Sequence, residues 1–413
     1  MTRKRKRPDW FRIIFLILLI FVMVYIDRVV VPTIPPPFVP SPTATRAPES
    51  YIAEAEAFFQ QGKLLQAIDI YKAAIRVNPH DPTIRVTLAR VQVFAGQYKE
   101  AQISAEDALL LNPNNSMAHA VFAWSLDFQG DYLAAEASVK RALELDPNNA
   151  MAHAYYAEIL ADSFISGSGP FDSLEKAAEE SRVSLSLAPN ALETHRARAY
   201  ILETTGNYED AIREYQTAIT LNENIPDLHL ALGRNYRALA IYDKAVEEFT
   251  RANALNPSDP MPDLLISRTY ATVGEFAKAA QYAETAVEDN PIDPNLRGNL
   301  GVMYYHNFQW PEAVKQLDYV VHGGMTEDGQ AIPPLALRNE TRISEYYFTY
   351  ALVLARLNRC GDALQIAQTI LATVPGNEIA VANANETIKL CQANLTNPPT
   401  ATPPPTETVT PTP

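Results

Sequence analysis

The sequence predicts an all-α solenoid of stacked helical hairpins, and three observations predict it. The stretch DPNNAMAHA at residues 146–154 restates NPNNSMAHA at 112–120, at a spacing of 34 residues. At that same spacing the turn glycines Gly62, Gly96 and Gly130 fall in register, and so do Pro79, Pro113 and Pro147. Five places beyond each glycine stands a small residue, Ala67, Ala101 or Ala135. A fixed period of this length marks a repeat architecture, because one helical pair cannot bury its apolar face and its neighbours must stack on it.

The elements follow from the amino terminus. Residues 1–9 are basic, with Arg3, Lys4, Arg5, Lys6 and Arg7. The run 10–31 is apolar apart from Arg12 until Asp27 and Arg28, and is expected to form a transmembrane helix, with Arg12 near enough to the edge to reach the interface. A cleaved signal peptide would share the charged start but end in a small-x-small site. DRVVVPTIPPP has none, so an uncleaved anchor is the preferred reading. The early basic residues then hold the amino terminus in the cytoplasm and place the rest outside it. Residues 32–47 form a proline-rich linker, and 397–413 a Pro/Thr-rich disordered tail.

Between them lies the solenoid, 48–377. In a representative unit the first helix carries Phe122, Ala123 and Leu126 at helical spacing and breaks at Gly130, whose backbone accepts the turn. The second helix runs from Tyr132 to Leu145, and Pro147 closes the unit. Two insertions interrupt the period, at 161–177 and at 328–343. The segment 322–340 carries Ile332, Leu335 and Leu337, which suit it to pack back on the solenoid. Residues 378–396 read as a capping helix.

The pattern resembles the tetratricopeptide repeat (TPR) proteins, with small residues at unit positions 8, 20 and 27. Position 8 is Ala89, Ala123, Ala157, Ala199 or Gly233, position 20 Ala101, Ala211, Ala245 or Ala279, and position 27 Ala108, Ala142, Ala218 or Ala252. Nine units fit, opening at 48, 82, 116, 150, 192, 226, 260, 294 and 344. Departures are Glu223 for the closing proline, Ala240, Phe308 and Asn358 for the turn glycine, and Leu317 and Val320 in the eighth unit. The composition is similar to that of bacterial envelope proteins.

The resemblance implies a concave groove lined by the first helices, at unit positions 2, 5, 9, 12 and 13. Those positions give an apolar amino-terminal stretch, Phe59, Val93, Met117, Trp124 and Phe128, and later Arg196, Tyr200, Arg234, Arg237 and Arg268. The expectation is a protein or peptide ligand, apolar at one end and acidic at the other. A competing reading pairs the arginines internally, with Glu158 and Glu203.

His119, His153, His195 and His229 all stand at position 4. As metal ligands they would have to converge on one ion, which the separation of successive units prevents, so packing between helices is expected. Cys360 opens the second helix of the ninth unit and Cys391 lies late in the capping helix, so the two either form a disulfide or remain buried thiols.

Net charge is −14, and the first twelve residues are basic, so the remainder is still more acidic and unsuited to nucleic acid. No GxxxxGK, GxSxG, HExxH or CxxC occurs, so neither enzyme nor cofactor is expected. The resulting expectation is a membrane-anchored, extracytoplasmic TPR scaffold for protein interaction or envelope assembly. The alternatives are an enzyme with a site on the 322–343 insertion and an envelope component that takes a small molecule or glycan.

Overall fold

The computed structural model describes residues 10–30 and 46–396. The basic segment 1–9, residues 32–45 of the linker and the tail 397–413 lie outside the described residues. The chain divides into two units, Met1–Ser50 and Tyr51–Pro413.

In the first unit the apolar run forms α1 (Trp10–Tyr25), continued by a π-helical turn at Ile26–Val30. The single long helix expected over 10–31 is therefore shortened, at the point where Asp27 and Arg28 interrupt the apolar run. An α-helix of 16 residues is about 24 Å long, short of a hydrocarbon core of about 30 Å. None of the helices among the described residues is long and apolar enough to cross a membrane.

Among its described residues the second unit is helical almost throughout. Its first three pairs are α2 (Pro48–Gln60) with α3 (Leu64–Val77), α4 (Pro82–Phe94) with α5 (Tyr98–Leu111), and α6 (Ser116–Asp127) with α7 (Tyr132–Leu145). Next come α8 (Ala150–Ile165) with α9 (Ser173–Leu187), α10 (Leu192–Thr204) with α11 (Tyr208–Leu221), and α12 (Pro226–Ala238) with α13 (Tyr242–Leu255). The last three are α14 (Pro260–Thr272) with α15 (Phe276–Asp289), α16 (Pro294–His306) with α17 (Trp310–His322), and α18 (Thr341–Arg356) with α19 (Cys360–Thr373). The final helix, α20 (Glu378–Thr396), packs on the ninth pair, where Asn394 Nδ2 donates to the Ala355 carbonyl at 2.9 Å.

Small residues set the distance between the two helices of a pair. Ala89, Ala123, Ala157 and Ala199 are fully buried, as are Ala101, Ala211, Ala245 and Ala279. At Gly233 a Cβ would lie 2.5 Å from Phe249 Cε1, and at Gly301 2.5 Å from Leu317 Cγ. Leu317, an oddity in the sequence, is thus accommodated by the missing side chain opposite it. Helix starts are capped as their sequences suggest: Asn115 Oδ1 accepts from Ala118 N at 3.0 Å and Asn149 Oδ1 from Ala152 N at 3.1 Å. Where glycine is missing from the turn, Ala240, Phe308 and Asn358 hold the left-handed backbone, with φ of 58°, 62° and 59°.

The histidines do more than fill space between units. His153, His195 and His229 each approach the carbonyl of the residue six places earlier through Nε2, at 3.0, 2.8 and 3.0 Å. Their Nδ1 atoms face Glu180, Glu214 and Glu248 of the paired helix. His119 makes the same carbonyl contact but faces Ser138. Each ring therefore ties a unit's first helix both to the preceding turn and to its own second helix.

Between α17 and α18 the chain makes a short hairpin, β1 (Gly324–Met325) paired antiparallel with β2 (Ala331–Ile332). Ile332 is buried, and Leu335 and Leu337 pack on the carboxy-terminal core, with Leu335 N donating to the Val320 carbonyl at 2.8 Å. The insertion folds back on the solenoid.

Candidate functional site

The first helices present their aromatic residues to one another rather than to an open groove. Phe59 and Phe94 have ring centroids 5.6 Å apart, Phe94 and Trp124 5.1 Å, and Trp124 stacks on Tyr155 at 4.4 Å. Phe59, Val93 and Trp124 are 1%, 3% and 1% exposed. These three, expected in the groove, belong instead to the core. The reason is curvature. Asn222 Nδ2 donates to the Phe59 carbonyl at 3.3 Å and Asn224 Nδ2 to the Gln60 carbonyl at 2.9 Å, so the α11–α12 turn meets the end of α2 across about 160 residues of chain. Arg90 pairs with Glu193 and lies over the rings of Phe59 and Phe94. The amino-terminal turn of the superhelix thus closes on itself, and burying such rings contributes about 1.5–3 kcal/mol each. Met117 remains half-buried and lines a cavity of about 480 Å³ with Met151, Arg90 and Glu193.

A second cavity of about 290 Å³ lies among α5, α6, α8, α10, α11 and α12. Half-buried Phe128 lines it and stacks on Tyr98 at 4.5 Å. Arg196 reaches Glu158 at 3.1 Å and stacks 4.8 Å from the Trp124 ring centroid, while the Trp124 indole N–H donates to Glu158 at 2.9 Å. Tyr200 donates to Asp162. Arg234 pairs with Glu203 at 3.0 Å. Arg196 and Arg234 are therefore spent on internal carboxylates.

Sequence reasoning missed the acidic lining. Burial pushes Glu158 up to about 7 against the opposing pull of Arg196 and of the Trp124 donor. Asp127, 3% exposed and beside Asp162, is held well above the usual carboxylate range by burial first, then by the charges of Asp162 and Glu158. Burial also raises Asp162. The signal was available: Asp127, Glu158 and Asp162 stand at positions 12, 9 and 13 of their units, which the resemblance places on the inner face.

The remaining arginines differ. Among the described residues, no carboxylate oxygen lies within ion-pair distance of Arg237 or Arg268. Arg268 donates to Asn299 Oδ1 at 3.4 Å, and Arg342 joins the group while pairing with Glu345 at 2.9 Å. Burial, then the charges of Arg268, Arg342 and Arg234, hold the Arg237 guanidinium below its ordinary range. Arg268 is lowered by burial, with Arg342 adding to the effect and Tyr346 opposing it. Further along, Arg356 lies over Tyr305 and Trp310 and donates to the Tyr305 hydroxyl at 3.2 Å. The carboxy-terminal inner face is thus cationic and under-compensated.

Cys360 and Cys391 form a disulfide between the start of α19 and the later part of α20, with Cα atoms 5.4 Å apart. The tip of the 322–343 insertion, Thr326 to Gln330, is a turn held by its own polar groups, and the titratable side chains converge elsewhere.

Comparison with known proteins gives a consistent picture. Repeat-family models described as tetratricopeptide repeat match residues 58–124 and, in a second model, 120–191 and 264–327; another, described as TPR repeat, matches 198–239. Together they account for more than half of the chain. No curated protein matches it. Among solved structures, a tetratricopeptide repeat protein from Parabacteroides merdae is 17% identical, covering 62% of this chain and 98% of its own, at a TM-score of 0.40. PilW, described as a widely conserved type IV pilus biogenesis factor, is 19% identical over 50% of this chain and 91% of its own, at 0.44. A thermophilic TPR protein of Thermus thermophilus is 20% identical over 46% and 100%, at 0.40.

Proposed function

The chain is a tetratricopeptide repeat protein, and from that premise we propose that it is a protein-binding scaffold whose partner docks on the carboxy-terminal inner face. The partner presents an acidic or carboxylate-ended segment. The observation that carries this reading is the grouping of Arg237 and Arg268, neither in an ion pair with a carboxylate, with Arg342. Guanidinium groups held together against mutual repulsion gain most from an incoming carboxylate, which they grip through two parallel N–H donors. Arg356 over Tyr305 and Trp310 extends the surface with a flat, amphipathic patch.

The same reading attaches the scaffold to a membrane through α1. Apart from Arg12, all side chains of α1 are apolar or aromatic, and all of them are exposed. The helical course continues through Val30, and the basic residues before Trp10 favour a cytoplasmic amino terminus with the repeats outside the cytoplasm. A topology reporter fused after Thr396 tests this, and reporter activity in the cytoplasm would overturn it.

For the binding face, the test is titration of the full-length chain in detergent with a fluorescent peptide of alternating Glu and Ala. Arg237→Glu with Arg268→Glu should weaken binding roughly tenfold or more, since each charged hydrogen bond contributes about 1.5–3 kcal/mol. Unchanged affinity in the double variant would reject the face.

A further inference from the structure

The closed amino-terminal turn holds a chamber that the scaffold reading does not use. Its volume is about 290 Å³, and its walls carry the carboxyl groups of Glu158, Asp162 and Asp227 and the rings of Tyr98, Phe128 and Tyr200. The charge count inside is lopsided. Arg196 offsets Glu158, and the other guanidinium at the wall, Arg234, is taken by Glu203. Among the described residues Asp162 and Asp227 form no direct ion pair and feel Arg196 only at longer range, and Asp127 lies beside Asp162 in the core. Glu158 is 2% exposed, and its Oε1 has no hydrogen-bond partner. Its Oε2 is taken by Arg196 and the Trp124 indole, and the bare Oε1 is a buried acceptor that an incoming N–H donor would satisfy.

We infer that this chamber is a binding site for a small organic cation, a primary amine of polyamine size. Three features select that class. The surplus of carboxyl groups calls for a positive charge. Aromatic faces beside them attract an alkylammonium, which carries its charge on an apolar body. A bare metal ion is the poorer fit, because no group of three or more His, Cys, Asp or Glu side chains among the described residues is placed to ligate one. The chamber lies among the first helices of four successive units, so a bound amine would tie α6, α8, α10 and α12 together and stabilise the closed turn.

The test is isothermal titration of the full-length chain in detergent with spermidine, in 150 mM salt to suppress diffuse attraction to an acidic protein, a regime in which screening acts over about 8 Å. Asp162→Asn keeps the shape of the wall, and Asp227→Asn alters an exposed residue of the lining. The expected result is saturable binding at one site, weakened roughly tenfold by Asp162→Asn and several-fold by Asp227→Asn. Absence of saturable heat, affinity in both variants unchanged from that of the unmodified chain, or displacement by magnesium ion as effective as by putrescine would overturn the inference.

Discussion

Replacing Gly62 by alanine isolates the contact that closes the amino-terminal turn. Gly62, Gly96 and Gly130 occupy the same turn in successive units, with φ of 71°, 71° and 78°. An alanine at any of them meets the left-handed penalty, about 1–2 kcal/mol. At Gly96 and Gly130 nothing lies within 4 Å of the added Cβ, so the penalty should end there. At Gly62 the Cβ would stand 2.6 Å from the Asn224 carbonyl oxygen and 2.7 Å from its Cβ. The seam must then open, and the two hydrogen bonds from Asn222 and Asn224 to the end of α2 are strained or lost. At about 0.5–1.5 kcal/mol each, these make Gly62→Ala about 1–3 kcal/mol costlier than Gly96→Ala. Amide hydrogen exchange across α2 and α3, compared between the two variants, reads the difference. Equal protection loss, to within about 0.5 kcal/mol, would show that the turn is not closed by this contact.

Other outcomes follow from particular residues. Glu158 has its folded pKa raised to about 7 from 4.5, so the folded state binds this proton more tightly than the unfolded chain does. Its contribution is complete below pH 4.5 and is lost as pH rises to 7, lowering unfolding free energy by up to about 3 kcal/mol across that window. Glu158→Gln should flatten this slope, and parallel denaturation profiles for the two proteins would refute it. Ala240→Gly relieves a left-handed alanine at an exposed turn and should raise stability by about 1 kcal/mol in urea denaturation; no gain would argue against that backbone. The Cys360–Cys391 bridge closes a loop of 31 residues, so reduction should destabilise α19 and α20 by about 3–4 kcal/mol. Hydrogen exchange there that is indifferent to reductant would contradict it.

The helical pairs could be read from the chain because their determinants are local. Ala89 or Ala123 at position 8 answers a contact within one pair, and the period displays it repeatedly. The histidines were half legible. Their spacing was plain, but their partners, Glu214 and Glu248, stand 19 residues further on, and only the three-dimensional pair reveals why. Glu180, displaced by the insertion in the fourth unit, obeys the same register. Curvature was not legible. It rests on Asn222 and Asn224 meeting Phe59 and Gln60, and no repeat pattern announces contacts so distant in sequence. That single fact moves Phe59, Val93 and Trp124 from an expected groove into the core. It also makes Glu158 and Glu203 internal partners of Arg196 and Arg234, while Arg237 and Arg268 stay half-buried on the inner face without an ion pair among the described residues. The apolar segment was legible in composition, while its division into α1 and a π-helical turn was not.

The most direct test of the account places a photo-crosslinking amino acid in the full-length chain in intact cells, at Arg268 in one experiment and at Met117 in another. Sequencing of the crosslinked peptides should recover Asp- and Glu-rich segments from position 268 that disappear when Arg237 is changed to Glu. Crosslinks concentrated at position 117, or segments without acidic character at 268, would contradict the assignment of binding to the carboxy-terminal face.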